Sequence, residues 1–167
     1  MNRRTNRNMP SDAPKSQNKG IKAKSSIGIP KRKGTSLKTL KKYVWDTFSL
    51  FIRLRDCLET TGSLEYGKCI TCGNVVPIKS TDAGHFVSRR FNSTLFDETN
   101  SHLQCRHCNR YNAGAAIEYR RQIIKLYGEG YDVQLKAKAE KLKKFTADEL
   151  RGLLDYYKQK VKELEAR

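Results

Sequence analysis

The chain has 167 residues, with 34 Lys or Arg against 17 Asp or Glu, for a formal net charge of +17. That length allows one domain with tails, and such a charge draws a chain to polyanions, nucleic acid first. No apolar run approaches the roughly 20 residues that span a bilayer. The N-terminus also lacks an apolar signal core. A cytoplasmic protein is therefore expected, and there paired cysteines favour metal over disulfide.

In chain order, residues 1–35 are rich in Asn, Ser, Lys, Gly and Pro. They cannot bury a core and are expected to form a disordered basic arm. Residues 1–42 hold 13 basic residues and one acid, Asp12, while residues 43–167 carry a net charge of only +5. The arm reads as a phosphate-seeking segment or, more plainly, as a solubilising tail. Ser36 is placed to cap a helix whose apolar face is Leu37, Leu40, Val44, Phe48 and Phe51, with Trp45 and Ile52 beside it, running to about Cys57. Gly62 and Gly67 mark its exit into a loop. Short strands are expected at 75–76 and 85–87.

After Cys108 the pattern turns helical. Residues 115–127 form a helix stopped by Gly128. Residues 131–144 form another, with Val133, Leu135, Ala139 and Leu142 inward. Thr146 to Glu149 is a capping box opening a last helix that carries Leu150, Leu153, Leu154, Tyr157 and Val161. The fold class expected is α+β: a small zinc-stapled core between helices.

Cys69, Cys72, Cys105 and Cys108 form two Cys-x-x-Cys knuckles. Each sets two thiolates on one tight turn, which suits a tetrahedral Zn²⁺. A disulfide pair or unligated core cysteines are the plainer readings. With four sulfur ligands such an ion has no open position and is structural, so any chemistry must come from elsewhere. Cys57 is left over as a buried or idle thiol.

Between and just after the knuckles stand Asp82, His85, Arg89, Arg90, Asn100, His102, Asn109, Arg110 and Asn112. Singly each has a bland reading: Asp82 could start a turn, His85 could be a hydrogen-bonded half-buried residue, Asn109 could cap a helix. Together, a His, an oxygen donor and an Asn could hold one divalent cation and one base over a phosphate.

The run "CITCG … DAGHF … NSHLQCRHCNRYNAG … EYR" resembles the NinG/Rap recombination endonucleases of lambdoid phages, within the HNH (ββα-metal) nuclease superfamily. The likeness covers about residues 48–128, "RLRDC" included. It implies a ββα-metal core flanked by helices and a DNA endonuclease acting on branched DNA such as Holliday junctions or D-loops. It makes His85 the general base, Asn109 a ligand of a catalytic Mg²⁺ or Mn²⁺, and Asn100 the tie that holds the loop. His102 is a secondary candidate, and Asn112 a weaker one. Where most HNH nucleases carry a ligand directly before the base, this chain has Gly84. Asp82, three residues before His85, would reach the cation only through a bulge at Ala83-Gly84, because in a flat strand the two face opposite sides. Arg89, Arg90 and Arg110 would contact phosphates, and the products would carry 5′-phosphate and 3′-hydroxyl ends.

The expected organisation is an arm over 1–35, a nuclease-like zinc domain over 36–128 and a helical extension over 129–167. A non-catalytic zinc module binding nucleic acid and a protein adaptor using the last helices are the competing readings. A homodimer would supply two active sites, and the last helix could furnish its interface or close the monomer core.

Overall fold

The computed structural model describes residues 34–167. The expected basic arm therefore lies outside the described residues, apart from residues 34 and 35. Helix α1, Leu37–Thr61, opens as anticipated, with the Ser36 hydroxyl accepting the Thr39 N–H at 3.1 Å. It runs a turn past Cys57 and ends at Gly62, whose φ of 68° suits glycine. Strands β1, Tyr66–Lys68, and β2, Val75–Pro77, form an antiparallel hairpin around the first knuckle. Gly67 lies within β1 rather than in a loop, and the reason is space: a side chain there would meet Leu103 and the Cys57 sulfur.

Strand β3, Thr81–His85, pairs antiparallel with β4, Ser101–Cys105. The strand expected at 85–87 thus begins and ends earlier. Past His85 the ladder is replaced by the Asn100 side chain, which accepts from Val87 N–H at 2.7 Å and donates to the Val87 carbonyl at 3.0 Å. Residues 107–111 make one wide helical turn, and residues 113–115 break the chain from it with φ values of 44°, 75° and 50°. Helix α2, Ala116–Tyr127, follows and stops at Gly128. Helix α3, Tyr131–Glu140, ends before residue 142, so Leu142 stands 89% exposed on the connecting loop and Val133 is 58% exposed. Only Leu135 and Ala139 of that expected face are buried. Helix α4, Ala147–Glu165, carries the full Thr146–Glu149 capping box.

Two apolar clusters flank the β3–β4 ribbon. One joins α1 (Leu40, Val44, Phe48, Phe51, Ile52) to α4 (Leu150, Leu154, Tyr157, Val161), with Ala83 between them. Each such aliphatic or aromatic burial stabilises by roughly 2 kcal/mol. The last helix therefore closes the core of this chain. The other cluster gathers Val87, Tyr119, Ile123, Leu135 and Ala139. A buried polar tie binds α1 to β4: Arg55 donates to the carbonyls of Glu98 and Ser101, and Asp56 accepts the Leu103 N–H. Burial raises the Asp56 carboxyl, with Arg55 opposing the rise. This is the structural content of the "RLRDC" stretch. No described helix is long and apolar enough to cross a membrane.

Candidate active site

The β1–β2 hairpin presents Cys69 and Cys72, while Cys105 ends β4 and Cys108 lies in the turn after it. The four sulfurs lie within 4.8 Å of one another, and Cys72 and Cys105 are 3.9 Å apart. A tetrahedral ion at the usual Zn–S distance needs sulfurs about 3.8 Å apart, so the quartet could hold zinc. Its thiols are unequal: burial pushes Cys72 up to about 12 and raises Cys105, while Cys69 is lowered. Burial works against the Cys69 anion, but donors from Cys72, Thr71 and Cys105 outweigh it and bring the thiol to about 7. Cys57 is outside the quartet, fully buried, its thiol pushed up to about 11 by burial. Among the described residues no other group of three His, Cys, Asp or Glu gathers this way.

Beside the quartet a cleft of about 580 Å³ opens along the outer edge of β3. Helix α1 contributes Trp45 and Ser49, β3 contributes Asp82, Ala83 and His85, the loop after it Ser88 and Arg89, and the wide turn Asn109 and Arg110. The register from Thr81↔Cys105 to His85↔Ser101 is unbroken, so the expected bulge is absent. Asp82 and His85 still share the cleft, because β3 is paired only on its β4 side and its other edge is open to both faces. Gly84 has a different reason from the one expected: a side chain there would collide with Gln104.

Asp82 accepts from Asn109 Nδ2 at 2.9 Å and is gripped twice by Arg110, at 2.7 and 2.6 Å. Burial opposes ionisation of Asp82, but the hydrogen bonds from Arg110 and Asn109 prevail and hold the carboxyl below its ordinary range. Arg110, expected on phosphates, is thus bonded within the chain.

His85 Nε2 lies 3.0 Å from the Leu95 carbonyl, while Nδ1 is shielded and has no partner. The ring rests on Trp45 with centroids 5.1 Å apart. Burial lowers His85 to about 4, so the imidazole is neutral near pH 7. A neutral ring that donates from Nε2 to a carbonyl keeps its lone pair on Nδ1. Arg89 lies over the other partner of that stack, its guanidinium 4.2 Å from the Trp45 ring.

The remaining candidates fall elsewhere. Asn100 is fully buried and bonds Val87 and the Thr94 carbonyl. These bonds join it to the loop after β3, and it does not line the cleft. His102 is not brought to the cleft. It pairs with Gly84 on the ribbon face that meets α2, with Nε2 2.9 Å from the Tyr127 hydroxyl. Burial lowers it to about 3. Arg90 sits over Phe91. Asn112 is exposed at the end of the wide turn. Sequence reasoning missed Trp45, Ser49 and Gln104. For Trp45 a signal existed, since it falls beside the apolar stripe of α1 rather than on it.

The family model described as the bacteriophage lambda NinG protein matches residues 2–167. The chain belongs to the NinG family. The match takes in the arm and the last helix of this NinG chain, beyond the segment that carried the sequence resemblance. No curated protein and no solved structure matches it.

Proposed function

We propose that this NinG-family protein is a zinc-braced, divalent-cation-dependent DNA endonuclease of HNH type. Its substrates would be branched recombination intermediates, Holliday junctions or D-loops, in a phage or prophage setting, inside the host cell. The observation that carries the reading is the placement of His85. Its Nε2–H is engaged by Leu95, its Nδ1 is left without a partner, and it lines the cleft that also holds Asp82 and Asn109. Kept neutral by burial, His85 would take the proton of the attacking water at Nδ1 once the shielding around that atom opens to admit it. Leu95 fixes the tautomer and ring plane.

The Asp82 carboxylate and the Asn109 amide fit a Mg²⁺ or Mn²⁺ ion of the kind held by one carboxylate plus substrate phosphate oxygens. A positive group, Arg110, already sits on that carboxylate. When bound, the cation would supply Lewis-acid relief of phosphoryl charge and of the leaving O3′. Arg89 and Arg90 would hold flanking phosphates. Zinc at the quartet would fix β4 and the wide turn against the hairpin, and with them Asn109. The branched-DNA preference and the recombination setting rest on the family resemblance.

The test is cation-dependent nicking of plasmid and four-way-junction DNA by wild type and His85→Ala. Loss of nicking with retained binding is expected; equal cutting by both removes His85 from the mechanism. The second reading, a non-catalytic zinc module on nucleic acid, is favoured by one observation: His85 Nδ1 is buried and has no partner. Binding without cutting by either protein would select it.

A further inference from the structure

Three donors already occupy Asp82, two on Oδ2 and one on Oδ1, of the about four acceptor positions a carboxylate has. Arg110 Nε donates to Oδ2 and Nη2 to Oδ1, a two-point grip, and Asn109 Nδ2 also donates to Oδ2. The carboxylate is 20% exposed and the guanidinium 54% exposed, so the pair sits at the mouth of the cleft with its cationic half toward solvent. A divalent ion at Asp82 would find one lone pair of Oδ1 open and would sit against the guanidinium that holds two of the others. A guanidinium and a dication cannot both contact one monoanionic carboxylate without strong repulsion. Among the described residues Arg110 bonds to Asp82 alone, and its planar fork matches phosphate as well as carboxylate. Arg89, the other arginine of the cleft, is occupied on the Trp45 ring instead.

We propose that Arg110 is a resident counter-ion of Asp82 which the divalent cation displaces, and that the released guanidinium then takes a DNA phosphate. Cation and DNA binding consequently favour one another, each by the same factor. With no cation present, Arg110 keeps Asp82 ionised and holds back one phosphate contact. This inference rests on the reading of Asp82 as a cation ligand.

The experiment is a Mn²⁺ titration of the zinc-loaded full chain, with free Mn²⁺ followed by electron paramagnetic resonance. Wild type, Arg110→Gln, Arg110→Lys and Asp82→Asn are compared. Arg110→Gln should bind Mn²⁺ about two- to fivefold tighter, the range set by an exposed ion pair. Arg110→Lys, which loses the fork, should fall between, and Asp82→Asn should lose the site. In a His85→Ala background, Mn²⁺ should tighten junction binding measured by fluorescence anisotropy. Adding Arg110→Gln should abolish that tightening. Unchanged or weaker Mn²⁺ binding by Arg110→Gln, with the site lost in Asp82→Asn, overturns the counter-ion role and leaves the cation site standing. Unchanged binding by Asp82→Asn overturns both.

Discussion

The Gln104 side chain occupies the space into which any side chain at residue 84 would project. Gln104 is held there by donating to the Gly114 carbonyl at 2.7 Å, and it is 1% exposed. The Gly84 carbonyl on the same strand accepts the Tyr119 hydroxyl at 2.8 Å. The ribbon is therefore locked to the turn before α2 and to α2 itself, with no room to shift. Gly84→Ala should destabilise the protein by about 1–3 kcal/mol, as overpacking does. Gln104→Ala in the same chain should recover part of that loss. Urea unfolding of the two single variants and the double variant measures the coupling; additive effects would mean the two positions do not meet.

The pH dependence of cutting should carry the signature of a buried base. Burial holds His85 near 4 rather than near 6.5. The rate of a base-dependent step rises with pH only up to the pKa of the base. Single-turnover nicking at saturating cation should thus show no limb between pH 6 and 7 assignable to His85. A wild-type limb near 6.5 would place the ring in water during turnover.

His102 should make stability depend on acid. Burial lowers it to about 3 in the folded chain, against about 6.5 unfolded. The unfolded state then binds the extra proton between these values. The stabilisation is complete above pH 6.5 and is lost as pH falls toward 3, by on the order of 3 kcal/mol at pH 4.5 and on the order of 5 kcal/mol over the whole window. Thermal unfolding from pH 7.5 to 4.5 should show this fall, and His102→Gln should reduce its slope by about half, the rest coming from His85, which is also lowered by burial. An equal slope in the variant would assign the acid sensitivity to other groups.

Zinc removal should disconnect the hairpin from β4. Dialysis against a chelator, or Cys105→Ser, is expected to release one zinc equivalent and lower the unfolding midpoint, because ligand binding is folding energy. The α1–α4 core is built from side chains distant in sequence from the quartet, so helical circular dichroism should persist in part. A chain that keeps its midpoint without zinc would contradict a structural ion.

The arm should act through charge alone. Deleting residues 1–35 removes 10 basic residues and one acid, and should weaken DNA binding and flatten the slope of log affinity against log salt. The rate constant of cutting at saturating DNA should stay the same. An unchanged salt slope would identify the arm as a solubilising tail.

Several features were legible in the residues because their causes are local. Ser36 and Thr146 cap helices through bonds three residues long, Gly128 ends α2, and the two knuckles put paired thiols on single turns. The stripes of α1 and α4 depend only on a 3.6-residue period, and both are buried except Leu37, which is 52% exposed on the first turn of α1, and Leu153, which is partly buried. Leu142 misled because periodicity cannot see where a helix stops: Lys141 leaves α3 with extended backbone, and the next apolar residue lands in solvent.

What the residues determined by themselves is thus the chain's charge, its helices and its sulfur quartet. Each follows from composition or from neighbours a few positions away. The cleft was decided only by tertiary structure. An open edge of β3 brings Asp82 and His85 together without a bulge, Trp45 arrives from a helix some 40 positions earlier, and Arg110 settles on Asp82. None of these contacts has a period or a spacing. They arise because pairing β3 with β4 leaves one edge free, and α1 and the wide turn pack beside it.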